Sequence, residues 1–442
     1  MKPSRSHSHT PSAADKVEVE FSDMPLTKRG GYGLLARFLS RLHVPQLLAQ
    51  LSPGKRPGAR YEERDYLQAL LYGSLLGCAR QTQIADLGRD RVLGHLLDAC
   101  FPSQPRLSHY LNQVGVQVAG GISAVNRQLL SKVRARRAIT TVDLDATVIS
   151  TRGCPEDAGY GYNPKRKGAQ SYVAMVAYCG ENRDGLDAAL YPGKCATISA
   201  ERALEAFERA RAALPAGVQR LRVRADAGYY SEAFLAHLES CQVRYSLAVR
   251  GTQGLKAKLP GLAYRALDDK WAVAELSHQA PSASRERRFV VVREKLEPDH
   301  RGSKQLRLLS HDGYGFQVIV TSMRDEPEQI WRDYNQRCCA ENMIKEQQED
   351  FGLDHVLCRS FAGNLLWLQL VVLAYNLMNW FRELILGQKA HRTTARLLRQ
   401  YLFELPGRLV RGGRQLVVKL DADARTRARY RRARSELQVF HL

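Results

Sequence analysis

Three acidic residues far apart in the chain, Asp145, Asp226 and Glu341, stand where secondary structure aims them. Asp145 lies in Thr141-Val-Asp-Leu-Asp-Ala-Thr-Val148, an alternating β-branched run that reads as a strand and seldom carries a charge without a partner. Period-two alternation puts Asp143 on the same face, and either acid is able to ligate a metal. Asp226 directly follows the predicted strand Leu221–Ala225, in Arg-Ala-Asp-Ala-Gly-Tyr-Tyr-Ser, where the glycine permits a sharp exit. The C-terminal end of a strand is where mixed sheets place reactive groups, and the plainer alternative is a turn former or helix N-terminal acid. Glu341 falls in a charged stretch predicted as one long helix over Glu326–Phe351. Steps of three and four set Tyr334, Arg337, Glu341, Lys345 and Gln348 within an arc of about 80°. By spacing alone that face serves equally as a solvated row of ion pairs.

Carboxylates converging from separate elements make an oxygen-rich site for hard divalent cations, Mg²⁺ or Mn²⁺. Two such ions roughly 4 Å apart activate an attacking hydroxyl and stabilise the leaving oxygen of an in-line phosphodiester displacement. Phosphates beside them need cations. Arg337 and Lys345 flank Glu341, and Lys165, Arg166 and Lys167 sit together in a turn near the first carboxylate. That turn is either a DNA contact or a solvated hairpin.

The 442 residues suggest two to four domains, and 44% hydrophobic content supplies enough apolar material for a folded core. Lys plus Arg number 66 against 45 Asp plus Glu, a net charge of +21, which favours a polyanionic partner, nucleic acid first. Leucines at three- and four-residue spacings make the stretch from about Leu34 to Leu130 helical. Within it Pro102–Val116 reads as a turn and short amphipathic helix presenting Arg106, Ser108 and His109, part of a helix-turn-helix or of a plain bundle. Strands follow at Ile139–Ile149, Tyr172–Tyr178, Leu186–Tyr191, Leu221–Ala225 and Tyr245–Val249, with helices at Ser199–Leu214 and from about Ser231. Further strands are expected at Arg288–Val292, Leu306–Leu309 and Phe316–Thr321. The pattern is α/β: a mixed sheet with flanking helices, a β-rich insertion, and a helical region in front.

Several other classes are disfavoured. The nine cysteines are odd in number, scattered and never spaced Cys-x-x-Cys, which argues against a disulfide framework or zinc finger and for a reducing, cytoplasmic compartment. The Ser/His/Pro-rich start carries no secretory signal, and His7 and His9 lie in that tail. The apolar run Leu365–Phe381 is interrupted by Gln369, Asn376 and Asn379, so a buried core helix is expected and no membrane partner. No phosphate-cradling Gly-x-x-x-x-Gly-Lys loop appears, so no nucleotide cofactor is expected. The four tryptophans are read as core residues rather than base-stacking platforms, and Arg425–Arg434 as either a backbone grip or a solvated helix face.

Asp145-Ala-Thr147 in a strand, Asp226 in Ala225-Asp-Ala-Gly-Tyr-Tyr-Ser231 and Tyr334-x2-Arg337-x3-Glu341 together resemble the DDE transposases of bacterial insertion sequences. More narrowly the chain is similar to the insertion-sequence group numbered thirteen-eighty. Gly161-Tyr-Asn-Pro-Lys-Arg-Lys-Gly168, Asp350-Phe-Gly-Leu-Asp354 and Leu373-Ala-Tyr-Asn-Leu377 fit it, from about residue 20 to the C-terminus. The Asp-x-Thr pattern favours Asp145 over Asp143. The resemblance implies a ribonuclease-H-like mixed sheet, interrupted by a β-rich insertion before Glu341 and preceded by a helical DNA-binding domain. It also implies cut-and-paste transposition, with Asp145, Asp226 and Glu341 holding two Mg²⁺ or Mn²⁺ ions. Tyr334, Arg337, Lys345, Lys165, Arg166 and Lys167 would meet double-stranded DNA, and two copies would join in a synaptic complex in the bacterial cytoplasm. The expected division is a tail over 1–16, a helical domain over 17–135 and a catalytic core over 136–250 and 326–390, with an insertion over 251–325 and a basic region over 391–442. One position departs from the pattern: the family signature has Lys seven residues after its Glu, where this chain has Gln348, and Lys345 is the cation nearby.

Overall fold

The computed structural model describes residues 20–51, 60–134, 139–194, 198–215, 217–218, 220–251, 253–280, 283–296, 310–311, 313–387, 390, 393–413 and 415–441. The tail over 1–16, with His7 and His9, and the strand expected at Leu306–Leu309 lie outside these residues. Seven helices open the chain: α1 (Tyr32–Arg41), α2 (Val44–Gln50), α3 (Glu63–Leu75), α4 (Gln81–Asp86), α5 (Arg91–Leu97), α6 (Gln104–Gln113) and α7 (Val116–Val133). The leucine spacing is their cause, since Leu35, Phe38, Leu39 and Leu67, Leu70, Leu71, Leu75 all face inward and are buried. A reciprocal capping box between Glu62 and Asp65 starts α3, and the Asp90 side chain caps α5 by accepting from the Leu93 amide at 2.9 Å.

The sheet strands are β1 (Ile139–Ser150), β2 (Gln170–Cys179), β3 (Gly185–Pro192), β4 (Arg220–Ala225), β5 (Arg244–Ala248), β6 (Trp271–His278), β7 (Arg287–Lys295) and β8 (Tyr314–Thr321). Their order is β3-β2-β1-β4-β5-β8-β7-β6, within an 11-stranded sheet that short two-residue strands complete. β2 runs antiparallel to β1 and β3, whereas β4 and β5 run parallel to β1. A three-strand meander followed by two strands parallel to its first is the ribonuclease-H-like topology. The expected insertion continues this sheet: β8 pairs antiparallel with β5, Ile319 opposite Ala248, and carries β7 and β6 outward.

Helices α8 (Ala200–Ala213) and α9 (Glu232–Ser240) accompany β4 in sequence, and α10 (Gln253–Lys258) follows β5. Arg287 of β7 ties the outer sheet to α9, bonding Glu232 at 2.5 and 2.8 Å and Glu239 at 2.9 and 3.1 Å. The long charged helix expected over Glu326–Phe351 is two helices, α11 (Pro327–Asn335) and α12 (Cys338–Phe351). The intervening turn is held by bonds of the tighter i to i−3 kind, from the Gln336 amide to the Asp333 carbonyl and from Arg337 to Tyr334. Arg224 of β4 also donates to the Asp333 carbonyl at 2.6 Å, which claims that group from the helix ladder.

Helix α13 (Phe361–Trp380) runs on into a π-helical turn at Phe381–Ile385. This helix is long and apolar enough to cross a membrane, yet 83% of its most apolar window is buried inside the protein. Its interrupting polar residues bond the β3 edge of the sheet. Asn376 accepts from the Gly185 amide at 2.7 Å and donates to the Gly185 carbonyl at 2.7 Å, and Gln369 donates to Ala188 at 2.6 Å. Asn379 donates to the Asn182 carbonyl and to Asp184. A strand edge thus covered has its unpaired backbone groups satisfied. Trp367 and Trp380 are fully buried, while Trp271 and Trp331 lie against each other, ring centroids 5.0 Å apart.

The basic C-terminal stretch folds back on the start of the chain. After α14 (Ala395–Leu398), a hairpin of β9 (Gly407–Gly412) and β10 (Gln415–Leu420) pairs with Leu26–Thr27, and α15 (Ala424–Val439) follows. Phe440 meets Phe38 of α1 with ring centroids 5.6 Å apart.

Candidate active site

Parallel pairing of β1 with β4 sets Leu144 opposite Ala225, so the next residues, Asp145 and Asp226, emerge at the same level on neighbouring strands. Local bonds fix both. The Ala146 amide donates to Asp145 Oδ1 at 2.8 Å and the Gly228 amide to Asp226 Oδ1 at 2.9 Å. Tyr229, in the turn after Asp226, donates its hydroxyl to the Asp145 carbonyl at 3.1 Å and so ties the two strand ends together. The same-face rival, Asp143, is consumed: it is wholly buried and receives a bidentate pair from Arg224 at 2.6 and 2.8 Å. Of the two acids on that strand, Asp145 is the one that meets the other site residues.

Glu341 lies in the first turn of α12, and two glutamines further along lock this helix to the sheet. Gln348 donates to Thr147 Oγ1 at 2.9 Å and Gln347 to the Tyr178 hydroxyl at 3.0 Å. Where the family pattern has a lysine, this chain therefore has a residue that bonds the threonine of Asp-x-Thr. Arg337, just ahead of α12, reaches both flanking acids, with Nη2 3.1 Å from Glu341 Oε1 and Nη1 3.4 Å from Asp145 Oδ2. Its side chain is 8% exposed, and its Nε and Nη1 are buried with no hydrogen-bond acceptor in place. Among the described residues the three carboxylates do not all come within 4.8 Å of one another, and Arg337 bridges Asp145 and Glu341.

Burial, opposed by Arg337 and the Ala146 amide and reinforced by Asp226 and Glu341, lifts Asp145 from its ordinary 3.8 to about 6. A buried carboxylate crowded by two others, all with hard oxygen donors, suits a divalent cation and fits the Mg²⁺ or Mn²⁺ expected from the sequence. Three carboxylates face the single guanidinium of Arg337, which leaves negative charge for a cation to balance.

The expected DNA contacts divide. Tyr334 is buried, donates its hydroxyl to the Ala225 carbonyl at 3.4 Å and belongs to a second small core with Val273, Val290, Ile319 and Ile330. It braces the strand end that presents Asp226, where the sequence reading expects a DNA contact. Arg337 is buried among the acids. Lys345 is exposed, 3.9 Å from Glu349, and its charge faces solvent. Lys165, Arg166 and Lys167 are exposed in the turn after Asn163, whose side chain bonds Ser150 at the end of β1 and the Arg166 amide.

Arg166 also lines a cleft of about 870 Å³ between the helical region and the end of β1. Arg80, Arg152 and Arg359 share its walls with Gln104, Ser108 and Asn112. Asn112 accepts from the Arg359 and Ser360 amides at 3.0 and 3.1 Å, so α6 docks on the sheet domain instead of standing free. These isolated arginines carry no local sequence signal.

Acids at one level on adjacent parallel strands of a ribonuclease-H-like sheet, one within its strand and one just past its strand's end, with a third on a later helix, define the DDE class. Residues 9–441 match the family model described as transposase DDE domain group 1, and the chain belongs to that family. No curated protein matches the sequence. Among solved structures, a piggyBac transposase synaptic complex with hairpin DNA is similar at 12% identity and a TM-score of 0.47, over 84% of this chain and 79% of that one. A Mos1 transposase paired-end complex with the left transposon end is similar at 16% identity and a TM-score of 0.17, over 44% of this chain and 60% of that one.

Proposed function

We propose that this chain cuts DNA at the ends of a mobile element and joins the freed ends to a target, as a cut-and-paste transposase of the bacterial insertion-sequence group numbered thirteen-eighty. The observation that carries this reading is the β1–β4 register, which sets Asp145 beside Asp226 while Arg337 links Asp145 to Glu341. Asp145, Asp226 and Glu341 would hold two Mg²⁺ or Mn²⁺ ions. Such ions, when bound, sharpen the attacking oxygen and stabilise the leaving oxygen of an in-line displacement at phosphorus.

The chain's own contribution is position and charge. The Ala146 and Gly228 amides fix one oxygen of each acid, and the second oxygen of Asp145 becomes available to ligate once Arg337 leaves it. Arg337 exchanges its carboxylate partners for a phosphate oxygen when DNA enters, a geometry its planar fork accepts. Cleavage by water and joining by a 3′ hydroxyl use one site, because each is an in-line attack at phosphorus with only the nucleophile exchanged. Lys165, Arg166, Lys167 and Lys345 supply phosphate contacts around it, and two copies bring two double-stranded ends together.

The test is nicking of DNA carrying the inverted repeats that flank the gene, in Mg²⁺ or Mn²⁺. Asp226→Asn and Glu341→Gln should each lower cleavage by at least about a thousandfold, on the scale of losing an essential catalytic group, with DNA affinity within about threefold of wild type. Wild-type protein that binds those ends but cuts them with neither ion is a repressor of its own element instead.

A further inference from the structure

On the opposite end of α9 from the Asp226 turn, a second group of ligating side chains assembles from two helices. His237, in the last turn of α9, and Cys241, which caps it, lie four residues apart and so share a face. Glu208 reaches them from α8. The three ligand atoms all lie within 4.8 Å of one another. His237 Nε2 is 2.7 Å from Glu208 Oε1 and 3.7 Å from Cys241 Sγ. The Phe207 ring meets the imidazole edge-on at 5.9 Å and holds its orientation.

We propose that Glu208, His237 and Cys241 form a zinc site that staples α8 to α9. In a tetrahedral zinc site with Zn–N near 2.0 Å and Zn–S near 2.3 Å, nitrogen and sulfur stand about 3.5 Å apart, close to the spacing present. The carboxylate and imidazole need to part by roughly 0.6 Å, to about 3.3 Å, as their hydrogen bond gives way to two metal bonds. The thiol proton leaves to solvent as the Zn–S bond forms. One sulfur, one nitrogen and one oxygen donor select Zn²⁺ over the Mg²⁺ that suits an all-oxygen site. Glu208 is exposed and the other two are half-buried, so the fourth position opens to water. The neighbouring cation is Arg211, whose Nη1 lies 3.6 Å from Cys241 Sγ and 3.7 Å from Glu208 Oε1, and zinc entry displaces it. Ser240 Oγ lies 4.0 Å from Sγ.

The experiment is a Co²⁺ titration of the full chain, read by absorbance. Wild type and Asp226→Asn should show the sulfur-to-cobalt charge-transfer band at one equivalent, bleached by Zn²⁺. Cys241→Ser and His237→Gln should lack it, and Glu208→Gln should need at least about tenfold more Co²⁺. In parallel, Zn²⁺ should raise the melting temperature of wild type and leave that of Cys241→Ser unmoved, with both melting alike in chelator. A wild type without the band overturns the proposal, as does a band that persists in Cys241→Ser.

Discussion

At the scale of single residues, the site holds charge under tension. An acid lifted from 3.8 to about 6 is favoured in its protonated form by the fold, so its cost to stability is absent below about pH 4 and complete above about pH 6. At 1.36 kcal/mol per pKa step that cost approaches roughly 3 kcal/mol, with the attraction of Arg337 already included. Asp145→Asn, which mimics the neutral acid, should therefore melt roughly 2 to 5 °C higher than wild type at pH 7. Calorimetry should find the gap closing as pH falls towards 4. The three acids themselves were readable in the sequence because strand alternation, a strand-end glycine and a motif spacing each mark one of them. The choice between Asp143 and Asp145 was not readable from the strand alone. It depends on Arg224, which reaches Asp143 from the neighbouring strand, and local patterns do not report partners across a sheet. The same holds for Tyr334 and Arg337: helical spacing says which residues share a face, and says nothing of what that face packs against.

At the scale of elements, polar residues decide how apolar ones are placed. Asn376 is wholly buried and satisfies both backbone groups of Gly185 while donating to Asn126 of α7 at 2.8 Å. Asn376→Leu leaves the Gly185 amide and Asn126 Oδ1 without these partners, the Gly185 carbonyl keeping its bond from Asn126, and should cost about 2 to 4 kcal/mol in urea unfolding. A loss under 1 kcal/mol would mean the edge is held by packing alone. The strands and helices of the core follow their sequence patterns closely, since alternation and three- to four-residue periodicity are local properties. The break between α11 and α12 does not, because Asn335-Gln-Arg-Cys-Cys339 contains no proline or glycine. Its cause is tertiary, the Arg224 guanidinium at the Asp333 carbonyl. The link between α9 and the outer strands has a pH signature of its own. Burial pushes Glu239 up, but hydrogen bonds from Arg287, Arg285 and Tyr245 overcome it and hold the carboxyl at about 2, below its usual 4.5. Its stabilisation is present above about pH 4.5 and is lost as pH falls towards 2. Arg287→Ala should lower stability by about 2 to 4 kcal/mol at pH 7. By chemical denaturation, that deficit should be distinctly smaller at pH 3.

At the scale of the whole molecule, charge and shape converge on one side of the sheet. The net charge of +21 forecast a polyanionic partner, but composition does not say where the cations gather. Four arginines from three stretches of the chain, Arg80, then Arg152 and Arg166 from the β1–β2 connection, and Arg359, line one cleft. If they meet phosphates, replacing any one by Ala should lower the slope of log affinity against log salt by about 0.9, with little change in sequence preference. A titration of DNA binding from low to physiological salt measures this, and an unchanged slope in all four variants would place DNA elsewhere.

The pairing of Leu26 with Arg408, and of α1 with Phe440, joins residues synthesised far apart in time. At roughly 5 to 20 residues per second, the first helices wait some 20 to 80 s on the ribosome for the hairpin and final helix that wall them in. Until then the side of Phe38 that meets Phe440 is uncovered. Nascent chains are thus exposed to chaperones and proteases longest at the segment that matures last, and tags or cuts near residue 410 should be felt at residue 30.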